Sequence, residues 1–148
     1  MARPRVRIIP LGGVGEVGKN LTVIEYRGDL VIVDAGTKFP EEEMRGIDLI
    51  VPDITYVQEH IDRLRGILLT HGHEDHIGAI PYFLKSFDAP IYGTRLPLGL
   101  VSNKLKEHGL KAKLNVIKAG DTIKLGNFKV ETIRVTHSIA DAICLSIE

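Results

Sequence analysis

Between Thr70 and Gly78 the chain reads THGHEDHIG, with three histidines and the Asp75 carboxylate inside the six residues 71–76. His71 and His73 are two apart, so on an extended segment their side chains point the same way. Asp75 and His76 are adjacent at an expected helix start, so their side chains should diverge. This layout suits two neighbouring metal ions, one taken by His71 and His73, the other by Asp75 and His76. Neutral imidazole with carboxylate favours zinc, with manganese as the substitute where oxygen ligands accumulate. Two ions about 3.5–4 Å apart could activate a water between them and clamp a phosphodiester, with Asp75 as proton acceptor. Four such donors packed this closely are a poor fit to a merely solvated loop.

The elements that must position these groups follow from patterning. Gly66-Ile-Leu-Leu69 reads as a short buried strand leading straight into the motif. Gly72 and Gly78 allow the backbone to bend tightly from strand to helix. Upstream, Val6–Leu11 begins as a strand and enters a glycine-rich loop from Gly12 to Asn20. A phosphate-loop reading fails there, because Lys19-Asn20 lacks the following Ser or Thr and a strand comes next. A tight loop pressed near the metal site is expected instead. Leu21–Tyr26 and Leu30–Val33 predict a hairpin turning at Gly28-Asp29. Asp34 follows at the strand end. It can close an Asx turn or cap a helix, or accept a hydrogen bond from a metal-bound histidine.

Residues 37–52 look irregular, broken by Pro40 and Pro52. Asp53 is an N-cap candidate for a helix whose apolar face is Val57, Ile61 and Leu64. His60 lies off that stripe, outside the ligand set. Ile77, Ile80, Phe83, Leu84 and Phe87 predict a helical stripe after the motif. Ala89–Tyr92 reads as a strand and Arg95–Glu107 as a helix stopped at Gly109, with His108 at its dipole-negative end. Lys113–Lys118 alternates as a strand. A hairpin around Gly126-Asn127 runs on through Val135 to Thr136-His137-Ser138. A last strand, Asp141–Ile147, carries Cys144, expected to be core filler. His137 follows a strand as His71 does, so the two could converge at one sheet edge; a surface histidine would read the same.

His71-x-His73-x-Asp75-His76 resembles the HxHxDH motif of the metallo-β-lactamase fold. The fuller string HGHEDHIGA resembles the ribonuclease J family of the β-CASP branch, as do LGGVGEVGKN (11–20) and FPEEEMRGID (39–48) running on to PDITY (52–56). Together, in order, these stretches span essentially the whole chain. The resemblance implies an α/β (α+β) fold, the αβ/βα sandwich of that superfamily. It implies a metal-dependent ribonuclease with endonuclease and 5′-to-3′ exonuclease activity in RNA processing and decay, acting on RNA with other RNA-decay proteins as partners. It makes His137 the third imidazole on the His71/His73 ion, and Asp34 the acid that orients a ligand histidine.

In that family a bridging aspartate and a further histidine complete the second zinc site, and both lie beyond the equivalent of residue 148, as does the β-CASP insertion. The expectation is therefore that residues 1–148 form an N-terminal portion, roughly the first half of the sandwich. That portion would bind one metal at most, where the complete enzyme holds two, and would be inactive alone. Its uncovered sheet edge would promote homo-oligomers. Rival expectations are another hydrolase of the fold, such as a glyoxalase II-type thioesterase or a tRNA-maturing nuclease, and a non-catalytic truncated module.

Size and composition agree with one domain: 148 residues, 44% hydrophobic and 26% charged. No apolar run approaches the roughly 20 residues of a membrane span. Arg3, Arg5 and Arg7 alternate with strand-like residues, unlike a secretory signal. A single cysteine fits a reducing, cytoplasmic setting. The 19 basic and 19 acidic residues balance, so overall charge points to no nucleic acid. Locally, residues 91–120 are basic and residues 41–62 acidic. The basic stretch either contacts phosphates or forms a solvated helix face.

Overall fold

The computed structural model describes residues 5–148, so Arg3 lies outside the described residues. Six strands form the larger sheet in sequence order: β1 (Arg7–Gly12), β2 (Leu21–Tyr26), β3 (Asp29–Val33), β4 (Leu64–Leu68), β5 (Ile91–Gly93) and β6 (Leu114–Val116). β1 to β3 are antiparallel and β3 to β6 parallel. A second sheet, β7 (Thr122–Leu125), β8 (Phe128–Arg134) and β9 (Ile143–Ile147), is antiparallel throughout.

The central strands are apolar on both faces because each face is covered. Leu30 and Ile32 of β3, with Ile67 and Leu69 around β4, pack into the helix side with Ile77, Ile80 and Phe83. The alternate residues, Val31 and Leu68, face Leu125, Phe128 and Val130 of the second sheet. Period-two alternation within a continuous apolar run thus builds both cores of the layered fold. Helices α2 (Glu74–Ile77) and α3 (Ile80–Phe83) connect β4 to β5, and α4 (Arg95–Glu107) connects β5 to β6.

Three local expectations are corrected. Residues 53–64 do not form one helix. A single turn, α1 (Thr55–Gln58), is followed by a 3₁₀ turn at Ile61–Arg63, and Ile61 is exposed. Leu64 is instead drawn into β4, where it pairs with Leu30. Asp53 still accepts hydrogen bonds from the Thr55 backbone N–H and hydroxyl, at 2.8 and 2.7 Å. The first hairpin turns one residue early, at Arg27 and Gly28, both with positive φ, and Asp29 is already in β3. Cys144 is exposed, not core filler. On β9 it pairs with Ile133, also exposed, while Ile143 beside it on the strand turns inward.

Candidate metal centre

The site lies beyond the carboxyl ends of neighbouring parallel strands, where open α/β sheets gather their ligand-binding residues. β3 ends into Asp34, whose N–H donates to the Leu68 carbonyl at 2.9 Å. β4 ends one residue before Leu69-Thr70-His71. α2 begins at Glu74, so His73 is its N-cap and Asp75 and His76 lie within its only turn. The second sheet contributes His137, three residues past the end of β8.

Asp34 has a φ of 60°, a left-handed conformation that aspartate tolerates better than most residues. Its carboxylate is buried, accepting from the Thr70 N–H at Oδ1 and the Thr70 hydroxyl at Oδ2, each at 2.8 Å. Thr70 Oγ1 gives its proton to Asp34, so it accepts one from His71 Nδ1, 2.9 Å away. His71 Nε2 is left with its lone pair. That lone pair lies 3.0 Å from His73 Nδ1 and 3.2 Å from His137 Nε2. Three imidazole nitrogens around a tetrahedral zinc, each about 2.0–2.1 Å from the ion, sit about 3.3 Å apart. The two separations from His71 match that spacing, and all three nitrogens lie within 4.8 Å of one another.

His76 is fixed by the same acid. Its Nδ1 donates to Asp34 Oδ2 at 2.7 Å, leaving the Nε2 lone pair 3.5 Å from Asp75 Oδ2. The expected divergence of Asp75 and His76 is therefore corrected. Asp34 swings the His76 ring round, and the Asn20 amide spans both groups, 3.0 Å from Asp75 Oδ2 and 3.1 Å from His76 Nε2. The His71 and His76 rings are 4.0 Å apart, so the pair borders the three-imidazole cluster.

Charge follows position. Burial, helped by neighbouring His76, pushes His71 down to about 4, so it is neutral, the form that ligates metal. Burial also opposes charge on His76, but the hydrogen bond and charge of Asp34, aided by Asp75, outweigh it and raise its pKa.

The backbone is packed to match. Asn20 N–H donates to the Asp75 carbonyl at 3.0 Å and Ala35 N–H to the His76 carbonyl at 2.7 Å. A Cβ on Gly36 would fall on the Asp75 carbonyl, so only glycine lets the Asp34 loop lie against α2. His60 and His108 stand elsewhere, on Tyr56 and Tyr82. Two residues escaped the sequence reading, Thr70 and Asn20. Each directly abuts a recognised feature, the strand end and the end of the glycine-rich loop, but neither type is a usual zinc ligand.

Residues 14–145 match the family model described as metallo-beta-lactamase superfamily. Over 146 residues the chain is 47% identical to ribonuclease J of Synechocystis, spanning 96% of this chain and 23% of that protein. It is 48% identical over 143 residues to ribonuclease J2 of Bacillus subtilis, spanning 95% of this chain and 26% of the relative. The chain thus covers about a quarter of the length of these relatives. A protein of unknown function from Enterococcus faecalis shares the fold at a TM-score of 0.74 and 17% identity, over 99% of this chain and 41% of that one.

Proposed function

The chain belongs to the metallo-beta-lactamase superfamily, and from that premise we propose that it carries the first metal site of a metal-dependent ribonuclease. The observation that carries this reading is the convergence of His71, His73 and His137, imidazole donors from both sheets, within 4.8 Å. The similarity to ribonuclease J over nearly the whole chain supports RNA as the substrate. A thioester has no comparable support.

Zinc suits the all-nitrogen set best, with manganese an alternative where Asp75 contributes oxygen. Bound there, the ion supplies Lewis-acid polarisation of a phosphoryl oxygen and lowers the pKa of a coordinated water. The chain's own residues do the rest. Thr70 and Asp34 hold His71 in the tautomer that presents Nε2. Asp34 and Asn20 hold His76 and Asp75 side by side, and the Asp75 carboxylate is the group that takes a proton from the attacking water. Asp75 and His76 alone make a weak second site, so residues 1–148 bind one ion tightly. Full activity needs further ligands from the longer protein. The same reading puts the enzyme in the cytoplasm, processing and degrading RNA as a homo-oligomer.

Native mass spectrometry should find one zinc per chain, lost in His137→Ala. The zinc-loaded full-length protein should hydrolyse RNA and leave thioesters intact. Two tightly held ions on residues 1–148 would overturn the one-site assignment, and thioester hydrolysis without RNA cleavage would overturn the ribonuclease reading.

A further inference from the structure

Beside the three-imidazole cluster opens a groove of about 630 Å³, and His137 forms part of its wall. The geometry points to this groove as the seat of the sugar-phosphate backbone of single-stranded RNA, gripped by Arg95, Lys118 and Arg134; the inference rests on the ribonuclease reading above.

The three cations come from three separate stretches. Arg95 is the first residue of α4, Lys118 lies between β6 and β7, and Arg134 ends β8. All three line the groove and are exposed, and none forms an ion pair among the described residues. Elsewhere, Arg7, Arg63 and Arg65 each meet a carboxylate. The one acid in the groove wall, Asp141, is turned to the backbone, 3.3 Å from the Leu96 N–H. Just outside it, Asp121 likewise accepts from the Lys118 N–H at 2.7 Å. The cationic side chains are therefore left for an external anion.

Three positive charges on a concave wall ending at a candidate metal centre match a chain of phosphates leading to the bond to be broken. The half-buried Ile139 also lines the groove and offers apolar contact to a ribose edge. Apart from His137, whose ring is engaged with His71 and His73, no aromatic side chain lines it among the described residues. Base stacking is therefore not available to set sequence preference, and binding here is phosphate-driven and salt-dependent.

The test measures binding of a fluorescently end-labelled, hydrolysis-resistant phosphorothioate decauridylate to the zinc-loaded full-length protein across a salt series. Each of Arg95→Ala, Lys118→Ala and Arg134→Ala should raise Kd several-fold and flatten the plot of log K against log salt by about 0.7, the slope that one cation neutralising one single-strand phosphate supplies. Arg134→Lys should keep the slope. Lys129→Ala, remote and paired with Glu148, should change neither quantity, and zinc content should be unchanged throughout. A wild-type protein that binds RNA while the triple variant binds it with equal affinity and slope overturns the groove assignment alone. A zinc-loaded wild type that binds no RNA overturns the groove assignment and the ribonuclease reading together.

Discussion

Asp34 Oδ2 and His76 Nδ1 lie 2.7 Å apart across 42 residues of sequence, and the same carboxylate holds His71 through the Thr70 hydroxyl. One buried acid thus sets the tautomers of two histidines that belong to different donor groups. Asp34→Asn should leave the fold in place but weaken zinc binding about 10- to 100-fold, the usual cost of losing an outer partner of a ligand histidine. It should also lower the pKa of His76, since Asp34 is what raises it. Competition with a chromophoric chelator reads the first effect and an NMR titration of the metal-free protein the second.

His71 supplies a pH signature. Its folded pKa of about 4 lies below the ordinary 6.5, so below pH 6.5 the unfolded chain binds a proton that the folded one refuses. In metal-free protein, stability should fall on acidification from pH 6.5 and stop falling, as far as His71 is concerned, near pH 4. His76 acts oppositely: its raised pKa gives stability fully present below 6.5 and lost as pH rises through the folded value. Urea titrations of wild type and His71→Gln between about pH 4 and 8 separate the two, because the first component alone should vanish in the variant.

Asp29 fastens the two sheets together. Its Oδ2 accepts from the backbone N–H and the side-chain amide of Asn127 in the β7–β8 turn, at 2.7 and 2.6 Å, while Oδ1 takes Arg65 Nε. Burial opposes its charge, yet Arg65 and Asn127 hold its pKa below the ordinary value. Asp29→Ala should cost about 3 kcal/mol, from charge-assisted bonds worth roughly 1.5–3 kcal/mol each and only partly additive. The contribution is present above about pH 4 and lost as pH falls through the lower folded value. Chemical denaturation at about pH 7 and pH 3 should show the wild-type advantage shrinking at the lower pH.

Gly36→Ala should be worse than its single methyl suggests. The new carbon meets the Asp75 backbone, which cannot step aside without moving His76. A loss of about 3 kcal/mol, the upper part of the overpacking range, is expected, along with lost zinc affinity. Calorimetry and metal titration on the variant check both. Wild-type values for each would mean that the loop is looser than its hydrogen bonds imply.

What could be read before the fold was known follows physical range. The HxHxDH spacing was legible because it is local: alternation on an extended segment aims His71 and His73 alike. β4 and the 95–107 helix were legible from apolar runs and periodicity. The 53–64 helix was misread because a parallel partner, Leu30, claims Leu64, and no local pattern records a neighbour 34 residues away. Cys144 was misread because its strand shows an inward and an outward face in similarly apolar residues. His137 was undecided from its own surroundings because its partners, His71 and His73, are 64 or more residues away. Thr70 and Asn20 act only through what they orient, and that is visible only in three dimensions.

His137 follows a strand of one sheet, His71 and His73 a strand of the other. The two layers also meet through side-chain packing, the Asp29 clasp and, at this rim, the Ile143 N–H to Thr70 carbonyl and Thr94 hydroxyl to Asp141 carbonyl bonds. A cation shared by these imidazoles is then a rivet as well as a reagent. Drawing it out would let the rims of the sandwich breathe, so deuterium uptake around β8 and β9 would report occupancy of the centre without any substrate being turned over.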